Sequence, residues 1–184
     1  MNVIYTSKNN KIKQIVNSGQ VIFCDTDLAV IWGIIKKNTL YTTIKRYTRQ
    51  RLLEKVRQGI YSIKSPNALS PDAIGAKILH GYCYVSAETA LERAGILKQK
   101  IRNITFVSGL SKKFSVGIHS FSSRQMKDVF LYNSIGVYTE GGINYACAER
   151  AVADLLYFNP KYYFDGSTSI NWDKVKEIKK IIGY

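Results

Sequence analysis

The sequence predicts an α+β chain, and three observations carry that reading. Residues 23–63 read as a helix, a tight turn, a strongly basic second helix and a hairpin. From Ile101 to Tyr138 the apolar pattern shifts to the alternation of strands. The chain then returns to helical spacing, closing with Trp172, Val175, Ile178 and Ile182. Together they predict an N-terminal winged helix-turn-helix over residues 1–65. Residues 66–184 then form a second domain, a small, mostly antiparallel sheet flanked by helices.

In the first domain, Ile12, Ile15 and Val16 fall at helical spacing, with Gly19 placed to end the run. Val21, Ile22 and Phe23 form a short extended piece. A second helix follows, with Asp25 or Thr26 as N-cap and Leu28, Ile31 and Trp32 facing inward; Gly33 permits the turn after it. Asn38 is the expected N-cap of the third helix. Its buried stripe is Leu40, Ile44 and Tyr47 (i, i+4, i+7), which leaves Thr39, Thr42, Lys45, Arg46 and Arg49 on the opposite face. Leu52–Val56 and Ile60–Ile63 alternate around Gln58-Gly59, the pattern of a two-stranded wing.

Ser65-Pro66-Asn67 marks the expected domain joint, and Ser70-Pro71-Asp72 opens a helix with its Pro at N1. Ser86 caps the next helix, which runs to about Ala94 and stops at Gly95. Strands are expected at Ile104–Val107, Phe114–Ile118, Val129–Leu131 and Ile135–Val137. Helices are expected from about Asn144 to Tyr157 and from Trp172 to Ile182, the latter capped by Asn171.

The 184 residues carry a net charge of +14 and are 46% hydrophobic, enough to bury a core. The charge is uneven: residues 1–68 hold 12 basic and 3 acidic residues, a stronger positive field than the remainder makes. A nucleic-acid partner accounts for that placement, since no basic amphipathic helix with an aromatic face is present to lie on a membrane. Cys24, Cys83 and Cys147 lack metal-ligand spacing and suit no closed disulfide set, so reduced thiols are expected. The N-terminus turns polar after Tyr5 and no run is long enough to span a bilayer, which implies a soluble, cytoplasmic protein.

Three stretches carry a family resemblance. The first is Asp27-Leu28-Ala29, then Asn38-Thr39-Leu40-Tyr41, closing with Val56-Arg57-Gln58-Gly59-Ile60-Tyr61. The second is Tyr84-Val85-Ser86-Ala87-Glu88-Thr89-Ala90-Leu91, and the third Glu149-Arg150-Ala151-Val152-Ala153-Asp154-Leu155-Leu156. In their order and spacing they resemble the antitoxin family of the AbiE system, the transcriptional regulators of type IV toxin–antitoxin pairs in abortive infection. The resemblance implies a DNA-binding domain that represses its own operon. It also implies a C-terminal domain that antagonises a nucleotidyltransferase-like toxin without a stable complex.

The expected DNA-contacting set is Lys37, Asn38, Thr39, Thr42, Lys45, Arg46, Arg49, Arg51, Lys55 and Arg57. Thr39, Thr42, Lys45 and Arg46 sit where a recognition helix reaches base edges. Arg49, Arg51, Lys55 and Arg57 suit phosphates, which fix register without reading sequence. One such module reads few base pairs, so specificity requires a dimer or two monomers on repeated half-sites. Glu149, Arg150 and Asp154 are the candidates for an antitoxin role in the third motif. Arg150 and Asp154, at i and i+4, also read as a helix ion pair worth a few tenths of a kcal/mol.

No catalytic constellation assembles around His80 or His119, and Gly141-Gly142 lacks the rest of a phosphate-binding loop. Glu177-Ile178-Lys179 mimics the end of a nuclease motif but follows no strand-borne Asp. The expectation is therefore a non-enzymatic binding protein with no cofactor and no metal. A metal-dependent nuclease and a non-specific nucleic-acid-binding module are the competing classes.

Overall fold

The computed structural model describes residues 11–164 and 166–184. The chain is α+β and divides into two compact units, Met1–Ile78 and Leu79–Tyr184. The Ser65-Pro66-Asn67 segment is a 3-10 turn, Pro66–Ala68, that lies inside the first unit. Residues 71–78 of the helix after it belong to that unit, in which Lys77 pairs with Asp27 at 2.6 Å and donates to Gln20 Oε1 at 3.3 Å.

In the first unit a helix over residues 11–17 (α1) precedes a strand, Ile22–Cys24 (β1). Helices Asp25–Trp32 (α2) and Lys37–Arg49 (α3) follow, then strands Glu54–Arg57 (β2) and Ile60–Ser62 (β3), then helix Pro71–Leu79 (α4). The strands form one antiparallel sheet in the order β1-β3-β2. Gly59 makes the β2–β3 turn at φ +77°, a conformation that suits glycine, and the register shifts by a bulge between Lys55 and Arg57.

Two caps differ from expectation. The N-cap of α2 is Cys24, and Asp27 reaches back three residues to accept its N–H at 2.7 Å. Helix α3 is capped by Lys36, so Asn38 lies inside its first turn. The stripe Leu40, Ile44 and Tyr47 is buried as its spacing requires, alongside Phe23, Leu28, Trp32 and Leu53. The Trp32 and Tyr47 rings lie 5.4 Å apart. Each fully buried apolar side chain of this size contributes about 1.5–3 kcal/mol.

The second unit is built on a six-stranded sheet in the order β6-β7-β5-β4-β9-β8. Its strands are Cys83–Val85 (β4), Asn103–Ser108 (β5), Lys112–Val116 (β6), His119–Gln125 (β7), Val137–Glu140 (β8) and Ile143–Ala146 (β9). Helices Ala87–Arg93 (α5), Asp128–Leu131 (α6), Ala148–Phe158 (α7) and Trp172–Ile182 (α8) complete it. Three of its five strand pairings are antiparallel, and the sheet is mixed because β7–β5 and β4–β9 pair in parallel. The first of these has a simple cause. Strand β6 folds back on the outer side of β7, so β7 lies directly against β5 and runs with it.

Other local expectations fail for identifiable reasons. Val129-Phe130-Leu131 is a single helical turn in which only Leu131 is buried, since a short apolar run does not distinguish the two states. Asn144–Ala146 belongs to β9, so α7 begins later, at Ala148. His119 opens β7 and shares its face with Phe121, 6.5 Å away ring to ring. Helix α8 has its expected bounds, and Asn171 Oδ1 accepts the Lys174 N–H at 3.1 Å. The core gathers Leu91, Val107, Met126, Leu131, Val152, Leu155, Val175, Ile178 and Ile182 between sheet and helices.

Candidate functional site

Helix α3 positions most of the residues singled out by charge. Packing its apolar stripe inward turns Lys37, Asn38, Thr39, Thr42, Lys45, Arg46 and Arg49 to solvent. Arg51, just past the helix at φ +55°, and Lys55 on β2 are exposed too. Arg57 is the exception: it is half-buried, with Nη1 shielded from solvent, and is the least available of the set. Among the described residues, Lys45, Arg46 and Arg49 form no ion pair with an acid. Arg46 lies over the Tyr47 ring, 5.4 Å from its centroid, which holds the guanidinium along the helix surface.

Helix and hairpin together enclose a cleft of about 490 Å³, lined by Tyr41, Ile44, Lys45, Thr48, Arg49, Lys55 and Tyr61. Three cations therefore stand around a partly aromatic floor. Tyr61 and Thr48 escaped the charge-based reading. Tyr61 was nevertheless within reach of it, because a turn at Gln58-Gly59 brings β3 back along β2, and Tyr61 pairs with Lys55. Tyr41 is half-exposed, and its hydroxyl lies 3.4 Å from Asp25 Oδ2 at the start of α2. The Tyr61 phenol is pushed above its usual range by burial and then by the charge of Asp25.

The second unit gives a different answer for Glu149, Arg150 and Asp154. Arg150 and Asp154 do pair, at 2.9 Å, but both are fully buried, so they are not a surface helix pair. All five guanidinium N–H groups are satisfied. Nε donates to Asp154 Oδ1, and Nη1 to the carbonyls of Asn133 and Ile135, both at 2.9 Å. Nη2 donates to the Tyr84 hydroxyl at 2.8 Å and the Phe130 carbonyl at 3.3 Å. Asp154 also accepts from the Ser86 hydroxyl at 2.7 Å and from the Tyr184 hydroxyl. Burial alone would lower the Arg150 pKa; Asp154, Tyr84 and Tyr184 outweigh it, and the guanidinium stays charged.

This knot joins α5, α7, Tyr184 and the turn before β8. Ser86 is the N-cap residue of α5, yet its hydroxyl serves Asp154 instead of the helix. Gly136 is required at the turn: at φ +70° an added Cβ would lie 2.8 Å from Arg150 Cβ. Arg150 and Asp154 are thus inaccessible to another macromolecule. Glu149 is half-buried and pairs with Lys174 at 3.5 Å. Cys24 and Cys83 are buried and Cys147 half-buried, all three as free thiols.

Among the described residues, no group of three or more His, Cys, Asp or Glu side chains is placed to hold a metal ion. No helix among them is long and apolar enough to cross a membrane. No family model and no curated protein matches the chain.

Proposed function

We propose that the chain binds double-stranded DNA and represses transcription at its own operator. In this reading α1, β1, α2, α3, β2 and β3 act as a winged helix-turn-helix. Helix α3 enters a major groove, with Thr39, Thr42, Lys45 and Arg46 toward base edges, and the β2–β3 hairpin follows the neighbouring backbone. The observation that supports it is the cationic face of α3, exposed and without an acidic counter-partner among the described residues, continued by Lys55 across the cleft. Cations without an acidic partner release the counterions of DNA when they meet its phosphates, the main source of affinity for duplex DNA.

The resemblance to the AbiE antitoxins extends the proposal: the protein antagonises a nucleotidyltransferase-like toxin encoded beside it, through regulation and not through a stable complex. Its test is direct. Fluorescence anisotropy with the chain's own upstream region against a scrambled duplex should show a preference. If roughly six phosphates are neutralised, the log–log salt slope should be about −5. Thr42→Ala with Arg46→Ala should weaken and blur the preference, while Arg49→Ala should weaken both duplexes alike. Equal loss on both duplexes for the two kinds of variant would defeat the groove assignment. Co-expression with the neighbouring gene tests the antitoxin role, which fails if growth arrest is not relieved.

A further inference from the structure

The first turn of α2 carries two acids with different fates. Asp27 is committed: it accepts the Cys24 N–H at 2.7 Å and pairs with Lys77 at 2.6 Å. Asp25 has no cation partner among the described residues. Its Oδ1 accepts the Thr26 N–H at 2.9 Å, and its Oδ2 faces the Tyr41 hydroxyl at 3.4 Å. Tyr41 and Tyr61 are walls of the same cleft that Lys45, Arg49 and Lys55 line. The charge of Asp25 is felt at Tyr61 as well as at Tyr41, so the three groups share one environment.

An acid in a first helical turn is favoured by the helix dipole, which accounts for a carboxylate there. It does not account for an unneutralised one placed against the wall of a cationic cleft. There the carboxylate repels a phosphate approaching along Tyr41 and accepts a hydrogen bond from a base amino group, the N4 of cytosine or the N6 of adenine. Arg49 and Lys55, as phosphate contacts, attract every duplex equally; a carboxylate at Tyr41, on the wall of their cleft, does not.

We infer that Asp25, held beside Tyr41, is a specificity-determining residue of the α3–hairpin cleft, turning away backbone phosphate on one wall and admitting a base amino group. The inference rests on the DNA-binding reading above. The test uses the full chain in salt titrations on its own upstream duplex and a scrambled one, with Asp25→Asn, Asp25→Ser, Asp25→Glu and Tyr41→Phe. The two neutral variants should tighten scrambled DNA about three- to fivefold, the order of one exposed charge contact. Their salt slope should steepen by about one. The upstream duplex should gain less, since it loses an amino contact, so discrimination falls. Asp25→Glu and Tyr41→Phe keep the charge and should keep the scrambled-DNA slope. Neutral variants that leave the scrambled duplex unchanged, or tighten both duplexes equally, overturn the role of Asp25 while the DNA reading stands. A wild-type chain that binds neither duplex overturns both.

Discussion

Replacing Asp154 by Ala should be among the most damaging single changes available in the second unit. The substitution strips from Arg150, whose guanidinium is fully buried, its one carboxylate partner among the described residues. It also orphans the hydroxyls of Ser86 and Tyr184. Four of the Arg150 bonds survive, to Asn133, Ile135, Tyr84 and Phe130, but all end on neutral acceptors. Removing one partner of a buried pair costs about 3–5 kcal/mol. For a unit of about 100 residues, at about 4–8 °C per kcal/mol, the melting temperature should fall by some tens of degrees. Thermal and urea unfolding of the full chain, followed by circular dichroism, measure it. The double variant Arg150→Met with Asp154→Leu fills the space without charge, and should be about 1–3 kcal/mol more stable than the sum of the two singles implies. A loss below about 1 kcal/mol for Asp154→Ala, or strict additivity of the pair, would refute the claim that this knot holds the unit together.

Two further outcomes follow from the same site. Tyr84 and Tyr184 are both pushed above the ordinary phenol value of 10.0 by burial and then by the charge of Asp154. The folded state therefore keeps protons that the unfolded state loses. Their contribution is fully present below pH 10 and declines above it, by up to about 1.4 kcal/mol per pH unit for each phenol. Urea midpoints at pH 9 and 11 would show this, and a Tyr184→Phe chain should decline less steeply. Gly136→Ala combines a φ of +70° with the 2.8 Å approach to Arg150 Cβ, and should cost at least about 2 kcal/mol. Gly141→Ala, at φ +57° with nothing within 4 Å, isolates the backbone strain and should cost less.

What the sequence disclosed depended on how each element is held. Helices α3 and α8 were readable because a continuous apolar stripe pins one face of each, and in α8 Asn171 also caps the start. The β2–β3 hairpin was readable from its alternation around Gln58-Gly59. Strand β7 was not, because its sequence, His119 to Gln125, is rich in serine and offers no apolar alternation beyond Phe121. Its hydroxyls bond across the sheet instead: Ser123 meets Ser108 at 2.6 Å, and Ser122 meets Thr105 at 3.2 Å. Such a strand is specified by its neighbours, which local pattern does not reveal. The cleft was half legible for the same reason. Charge marked Lys45, Arg49 and Lys55, whereas Tyr61 joins them only through strand pairing, and Asp25 reaches the cleft wall only through Tyr41.

The buried knot also changes what the three resembling stretches mean. Ser86, from the second, and Asp154, from the third, meet at 2.7 Å across 68 positions of chain. Thr89, also from the second, accepts the Thr105 N–H at 2.8 Å and donates to the Asn103 carbonyl at 3.2 Å, tying α5 to β5. Each of these side chains satisfies a buried group that would otherwise cost about 1–3 kcal/mol, more for a charge. Within this packing, Ser86, Thr89, Arg150 and Asp154 satisfy one another and the adjacent backbone, whatever the unit does. The side chains of the second and third stretches are therefore accounted for by the packing of the unit alone. The first stretch differs, because Asn38, Thr39 and Tyr41 are exposed and no core demand fixes them. Changes in what the chain binds are therefore tolerated there, on α3 and along the cleft, while Arg150 and Asp154 are held by the contacts of the core.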